Sequence, residues 1–129
     1  MDWKETGLFT YKKGKRRNIL WKELSNKDQD KADHTSLSGY ITCDFDKLVN
    51  TFGEPSPFDH YKTDAQWIIE FSDGEVGTIY NYKDGINYLG TEGLITYLIE
   101  FWHIGSHSAN VVRRIAKILE LGEMDWRYS

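Results

Sequence analysis

Two β-favouring runs around a four-residue turn constrain this chain more than any other feature. Ala65–Phe71 and Val76–Tyr82 are rich in Trp, Ile, Val and Tyr. Ser72-Asp73-Gly74-Glu75 lies between them, and its glycine can adopt the positive φ of a hairpin turn. A second anchor sits near the C-terminus. Val112, Ile115, Ala116 and Leu119 repeat at helical spacing, with Ser108 placed as an N-cap and Gly122 as a C-cap.

Other elements follow from similar signals. Tyr40-Ile41-Thr42-Cys43 is a short β-favouring run. Asp44 then stands as an N-cap before Phe45, Leu48, Val49 and Phe52, one apolar helix face that Gly53 and Pro55 end. Leu94–Ile104 reads as a short helix or extended lead-in closing on a strand at Phe101–Ile104. Ile86–Leu89 reads as a further pairing segment, and Glu123–Ser129 as a tail. The sequence therefore predicts an α+β fold: a small antiparallel β-sheet with two helices packed on one face. The strands come from the Tyr40, Ala65, Val76 and Phe101 regions, the helices from the Phe45 and Ala109 regions.

At 129 residues the chain suits one domain with a real core. Its charge is unevenly spread. Residues 1–35 carry nine basic and six acidic side chains, a net of +3, whereas residues 36–129 carry seven basic and fourteen acidic, a net of −7. Residues 1–38 thus read as a basic, partly irregular N-terminal extension, with Lys12–Arg17 a basic turn around Gly14, and 39–129 as the α+β core domain. The acidic body argues against bulk nucleic-acid binding. A single cysteine, Cys43, excludes an intramolecular disulfide and points to a reducing compartment. No apolar run reaches the ~18 residues of a membrane span, and the first residues lack the order of a signal peptide. A cytoplasmic location, without membrane contact, is expected.

Three features could carry chemistry. The loop Gly105-Ser106-His107-Ser108 feeds a helix start, where free backbone N–H groups favour anions. Ser106, Ser108 and Asn110 add donors there, and Arg113 could lean toward a phosphate. An ordinary capped helix is the plainer explanation. The turns Tyr61-Lys62-Thr63-Asp64 and Asn81-Tyr82-Lys83-Asp84-Gly85 each combine a ring, a cation and a carboxylate near a strand end. Rings stack on bases and lysines meet phosphate; cross-strand packing with solvated turn charges is the alternative. His103 and His107 are four apart, but they straddle Gly105 and no zinc spacing accompanies them, so neither metal nor cofactor is expected. Cys43, in an apolar strand context, reads as buried rather than activated. No Gly-x-Ser-x-Gly or Walker-type loop is present, so no catalytic residue is named.

Four blocks together resemble a known family. They are Leu48-Val49 with Phe52-Gly53-Glu54-Pro55, then Lys62-Thr63-Asp64-Ala65-Gln66-Trp67, then Gly77-Thr78-Ile79-Tyr80-Asn81-Tyr82-Lys83-Asp84-Gly85, then Trp102-His103-Ile104-Gly105. In order and spacing they resemble small, mostly uncharacterised proteins of bacteriophages and large DNA viruses. Where those relatives carry a second glycine, this chain has Ser106. The resemblance implies a viral accessory protein acting in the host cytoplasm against host defence. The expectation is a non-enzymatic counter-defence protein that sequesters a nucleotide-derived immune signal, such as a cyclic nucleotide. The expected ligand residues are Tyr61, Lys62, Asp64, Tyr82, Lys83, His103, Gly105, Ser106, Ser108, Asn110 and Arg113. Two alternatives stay open: an inhibitor that caps a host defence protein, and a nucleotide-acting hydrolase. The many aromatics also leave room for a homo-oligomer.

Overall fold

The computed structural model describes residues 3–24, 26–56 and 62–129. Seven antiparallel strands form one sheet that curls into a half-barrel. They are β1 (Lys4–Lys12), β2 (Lys15–Glu23), β3 (Ser36–Thr42), β4 (Gln66–Phe71), β5 (Val76–Tyr80), β6 (Phe101–Ser106) and β7 (Trp126–Tyr128). Their order across the sheet is β1-β2-β4-β5-β6-β3-β7. Three small helices accompany them: α1 (Phe45–Phe52), α2 (Ile86–Leu89) and α3 (Asn110–Ile118).

This corrects the expected α+β fold with a small sheet and two helices. The molecule is mostly antiparallel sheet, and three strands had no strong sequence signal. Residues 4–23 form a hairpin closed by Lys13 (φ 52°) and Gly14 (φ 75°), the paired positive φ values that suit the twist of a two-residue turn. That hairpin joins the sheet through Trp21↔Phe71. β1 is hard to read because it is an edge: most of its side chains are exposed, and its register shifts between Glu5 and Phe9. The C-terminal segment expected as a tail supplies β7, which pairs with β3 through Ile41↔Trp126. Ile86–Leu89 is a helical turn rather than a pairing segment.

The inner face of the sheet is apolar. Trp67, Ile79 and Ile104 are cross-strand neighbours there, and Ile41 faces Trp102. Trp67 and Trp102 are both fully buried, with rings edge to face at 5.3 Å. Each indole N–H has a partner: Trp67 donates to the Gly53 carbonyl at 2.8 Å and Trp102 to the Cys43 carbonyl at 2.9 Å. A buried indole thus keeps its large apolar area without leaving a donor unpaired. From α1, Phe45 packs on both indoles, and Phe52 meets Trp21 at 5.0 Å.

Helix α3 lies across the curl and touches β1, β3, β5 and β7. Gly77 and Gly39 make this approach possible. A Cβ on Gly77 would sit 2.5 Å from Val111 Cγ1, and one on Gly39 2.8 Å from Val112 Cγ2. Arg114, 6% exposed, donates to both Asp73 carboxylate oxygens at 2.9 and 2.7 Å and covers the Phe71 ring. This ties the helix to the β4–β5 turn. The start of α3 differs from expectation. Ala109 is its N-cap, no side chain caps it, and Ser108 contributes only its carbonyl to the Val111 N–H. At its other end Glu120 takes the positive φ (56°), not Gly122. No helix of the described residues is long and apolar enough to cross a membrane.

Candidate functional site

Successive strand residues point to opposite faces. The residues that alternate with the inner core form the sheet's other face; toward β2 it is apolar, with Leu24, Ile68 and Val76 buried against Ala32, and toward β6 and β7 it is neither apolar nor simply charged. Gln66 on β4 pairs with Tyr80 on β5, Tyr80 with His103 on β6, His103 with Tyr40 on β3, and Tyr40 with Arg127 on β7. One row of side chains so crosses five strands. Tyr80 stacks on His103 (5.5 Å between ring centres, 21°), Tyr40 meets His103 edge to face at 5.1 Å, and the Arg127 guanidinium lies 4.7 Å over Tyr40. Phe101 and Tyr82 also contact the imidazole edge to face, at 5.6 and 5.4 Å. His103 is thus the hub of four aromatic rings.

Burial holds the His103 imidazole below its ordinary pKa, against a smaller opposing pull from Asp84. The ring is neutral near pH 7. Its Nδ1 is buried and has no hydrogen-bond partner among the described residues. A neutral imidazole set among aromatic rings offers a flat, polarisable surface rather than a charge.

Beside this ridge lies a cleft of about 340 Å³, within the size range of small-ligand sites. Thr63, Gln66, Thr78, Tyr80 and Tyr82 line it, together with Asp33, Thr35 and Ser36. Gly105 also lines it, and that position needs its missing side chain. A Cβ there would come 2.7 Å from Thr78 Oγ1 and 3.6 Å from Tyr80.

The two turns singled out in the sequence converge at this cleft, and the reason is Asn81. Its fully buried amide accepts from the Asp64 and Ala65 N–H groups at 2.7 and 3.0 Å. It donates to Asp64 Oδ1 at 2.8 Å and Asp84 Oδ1 at 3.0 Å. The Lys83 N–H adds a bond to the Lys62 carbonyl at 2.8 Å. One side chain thus joins residues 62–65 to residues 81–84. Both ammonium groups flank the Tyr82 ring, Lys62 at 6.0 Å and Lys83 at 5.3 Å.

Of the expected site residues, Lys62, Tyr82, Lys83, His103 and Gly105 come together on this face. Tyr61 lies outside the described residues. Asp64 is adjacent, but both its oxygens are engaged, by Asn81 and by the Asn87 N–H at 3.1 Å. Ser106, next along β6, turns to the opposite face and bonds the Ser108 carbonyl and Ser38 Oγ, both at 2.6 Å. Of the expected residues Tyr82 and Gly105 line the cleft; Lys62, Lys83 and His103 stand against Tyr82, and Ser108, Asn110 and Arg113 are not among the lining residues. Sequence reading missed Gln66, Thr78, Tyr80 and Tyr40, although the alternation Phe101-His103-Gly105 and Thr78-Tyr80-Tyr82 was the signal for this face.

Cys43 is buried, and desolvation pushes its thiol up to about 11, which leaves it a poor nucleophile. No group of three His, Cys, Asp or Glu side chains converges as a metal site among the described residues. The chain matches no protein-family model, no curated protein and no solved structure.

Proposed function

We propose that this chain is a binding protein for a nucleotide-type ligand, held on the outer face of the sheet and not consumed there. One observation carries the reading: an aromatic ridge centred on neutral His103 meets a cleft through Tyr80 and Tyr82, and Lys62 and Lys83 flank the Tyr82 ring that lines it. A base would lie against Tyr82 and Tyr80, with Gln66 and Thr78 facing its polar edge. A phosphate would meet the two ammonium groups. The resemblance to phage proteins supports a counter-defence setting, in which the chain sequesters an immune signal.

Isothermal titration with AMP, cyclic AMP and ADP-ribose tests this. At least one should bind, and Tyr82→Ala should weaken it by about 1–3 kcal/mol, the range for loss of one base–aromatic stack. The bound compound should be recovered intact by chromatography, whereas turnover would favour the hydrolase. A folded sample that gives no heat with any of the three removes the proposal.

A second reading has its own observation. Ile86, Leu89, Leu94, Ile95, Tyr97 and Leu98 are all more than two-fifths exposed within one short stretch. The Leu94 N–H bonds the Asp84 carbonyl at 2.9 Å, which folds this stretch back on itself. So much apolar surface in one place is characteristic of protein interfaces. A host protein that binds Lys83→Ala normally but not Leu98→Asp would favour the capping inhibitor.

A further inference from the structure

We infer that the ligand of this face carries two bases joined by a phosphodiester, rather than one. The inference rests on the nucleotide-binding reading and adds the class of ligand. The row from Gln66 to Arg127 spans four strand spacings, roughly 19 Å at about 4.8 Å each. That is far more surface than a single base covers. The cleft beside Tyr80 occupies only one end of it.

A second cleft, of about 400 Å³, opens at the other end. Tyr40, Phe101, Glu123, Asp125 and Arg127 are among its lining residues. Only His103 separates Tyr80 of the first cleft from Tyr40 of the second, so the two sites are two strands apart, roughly 9.6 Å. An extended dinucleotide can bridge such a gap with its bases unstacked from each other. Phe101 has one face against Tyr40 (5.4 Å, 18°) and remains 40% exposed, which leaves ring surface for a second base.

The chemistry of the two ends also differs in a way that suits two bases and one charged backbone. Lys62 and Lys83 flank Tyr82 of the first cleft, and a terminal phosphate would meet them there. The second cleft carries two carboxylates and one guanidinium. Carboxylates repel phosphate but accept hydrogen bonds from the N–H groups of a base edge. Arg127, over Tyr40, extends the stacking surface as a planar cation.

Titration of the whole chain with AMP, GMP, pApA and pGpG decides the matter. At least one dinucleotide should bind about 5-fold tighter than either mononucleotide, the smallest gain expected from one added stack. Arg127→Ala and Asp125→Ala should remove that gain while leaving mononucleotide affinity within about 2-fold. Circular dichroism confirms that both variants fold. Mononucleotide binding with no gain from a second base overturns this inference and leaves the nucleotide-binding reading in place. Equal weakening of both ligand sizes by Arg127→Ala overturns it too. Binding of neither size removes both.

Discussion

The two faces of strands β3 to β6 share one backbone but differ over most of their area, the buried outer residues Ile68 and Val76 aside. Inside, Ile41, Trp67, Ile79, Trp102 and Ile104 are sealed beneath α1 and α3. Outside, Tyr40, Gln66, Tyr80 and His103 occupy the alternate positions and are only half buried. The inner set has its indole N–H groups paired, whereas in the outer set the buried His103 Nδ1 has no hydrogen-bond partner among the described residues. The contrast teaches that aromatic content alone says nothing about role. The same ring types serve as core on one face and as an open platform on the other, and strand parity decides which.

That contrast can be broken from the inside first. Trp102→Ala should lower stability by about 3–5 kcal/mol, the cost of a large core cavity, read by urea denaturation. Asn81→Ala should cost less, about 2–3 kcal/mol, by unpairing the buried N–H groups of Asp64 and Ala65. It should also abolish ligand binding by separating the two turns. If stability falls but binding survives, Asn81 does not build the site.

Asp73→Asn comes next, at about 2 kcal/mol. This is less than for a fully buried pair, because the Asp73 side chain is 33% exposed. Its hydrogen bonds to Arg114 hold the carboxyl below its ordinary value. The native state therefore gives up the proton more readily than the unfolded chain. The stabilisation is full above pH 3.8 and is lost as the pH falls below it. Denaturation profiles should be flatter on the acid side in Asp73→Asn, and an unchanged slope would show that the pair adds nothing.

His103 has the same sign in a different window. Its depressed pKa means that the unfolded chain takes up a proton first, so stability declines as pH falls below 6.5. His103→Gln should lessen that decline. The smallest effect belongs to Tyr82→Ala, an exposed outer residue. Its unfolding free energy, read by urea denaturation, should match wild type to within about 0.5 kcal/mol, although its nucleotide affinity drops. A large stability loss there would mean that the outer face is core after all.

Much of the inner architecture is legible in the chain. The Ser72–Glu75 turn, the Phe45–Phe52 helix and the Val112–Leu119 periodicity all rest on local signals: a glycine with positive φ, an apolar stripe and a break after it. The edges were not legible. β1 has almost no buried alternation, and β7 is three residues long and gains its meaning from β3, some 85 positions earlier. The site divides in the same way. Tyr82 and Lys83 announce themselves as a ring beside a cation in a turn. Tyr40 and Arg127 reach the same row only through pairings that link distant parts of the chain. Ser106, Ser108, Asn110 and Arg113 show the reverse, close to His103 in sequence but not among the residues lining the cleft. A helix start adjacent in sequence to His103 lies across the sheet from it, because one residue of β6 changes the face.

The position of β3 has a consequence for how quickly the molecule assembles. It is made early, yet both of its neighbours, β6 and β7, come from the last third of the chain. Two local hairpins, β1–β2 and β4–β5, can form within microseconds. β3 must close a loop of about sixty residues before it gains a partner, and such non-local pairing slows folding toward milliseconds or longer. Stopped-flow refolding followed by tryptophan fluorescence should therefore report slow docking of β3. Until that step is complete, Tyr40 has no place beside His103, and the row that crosses the sheet ends at β6.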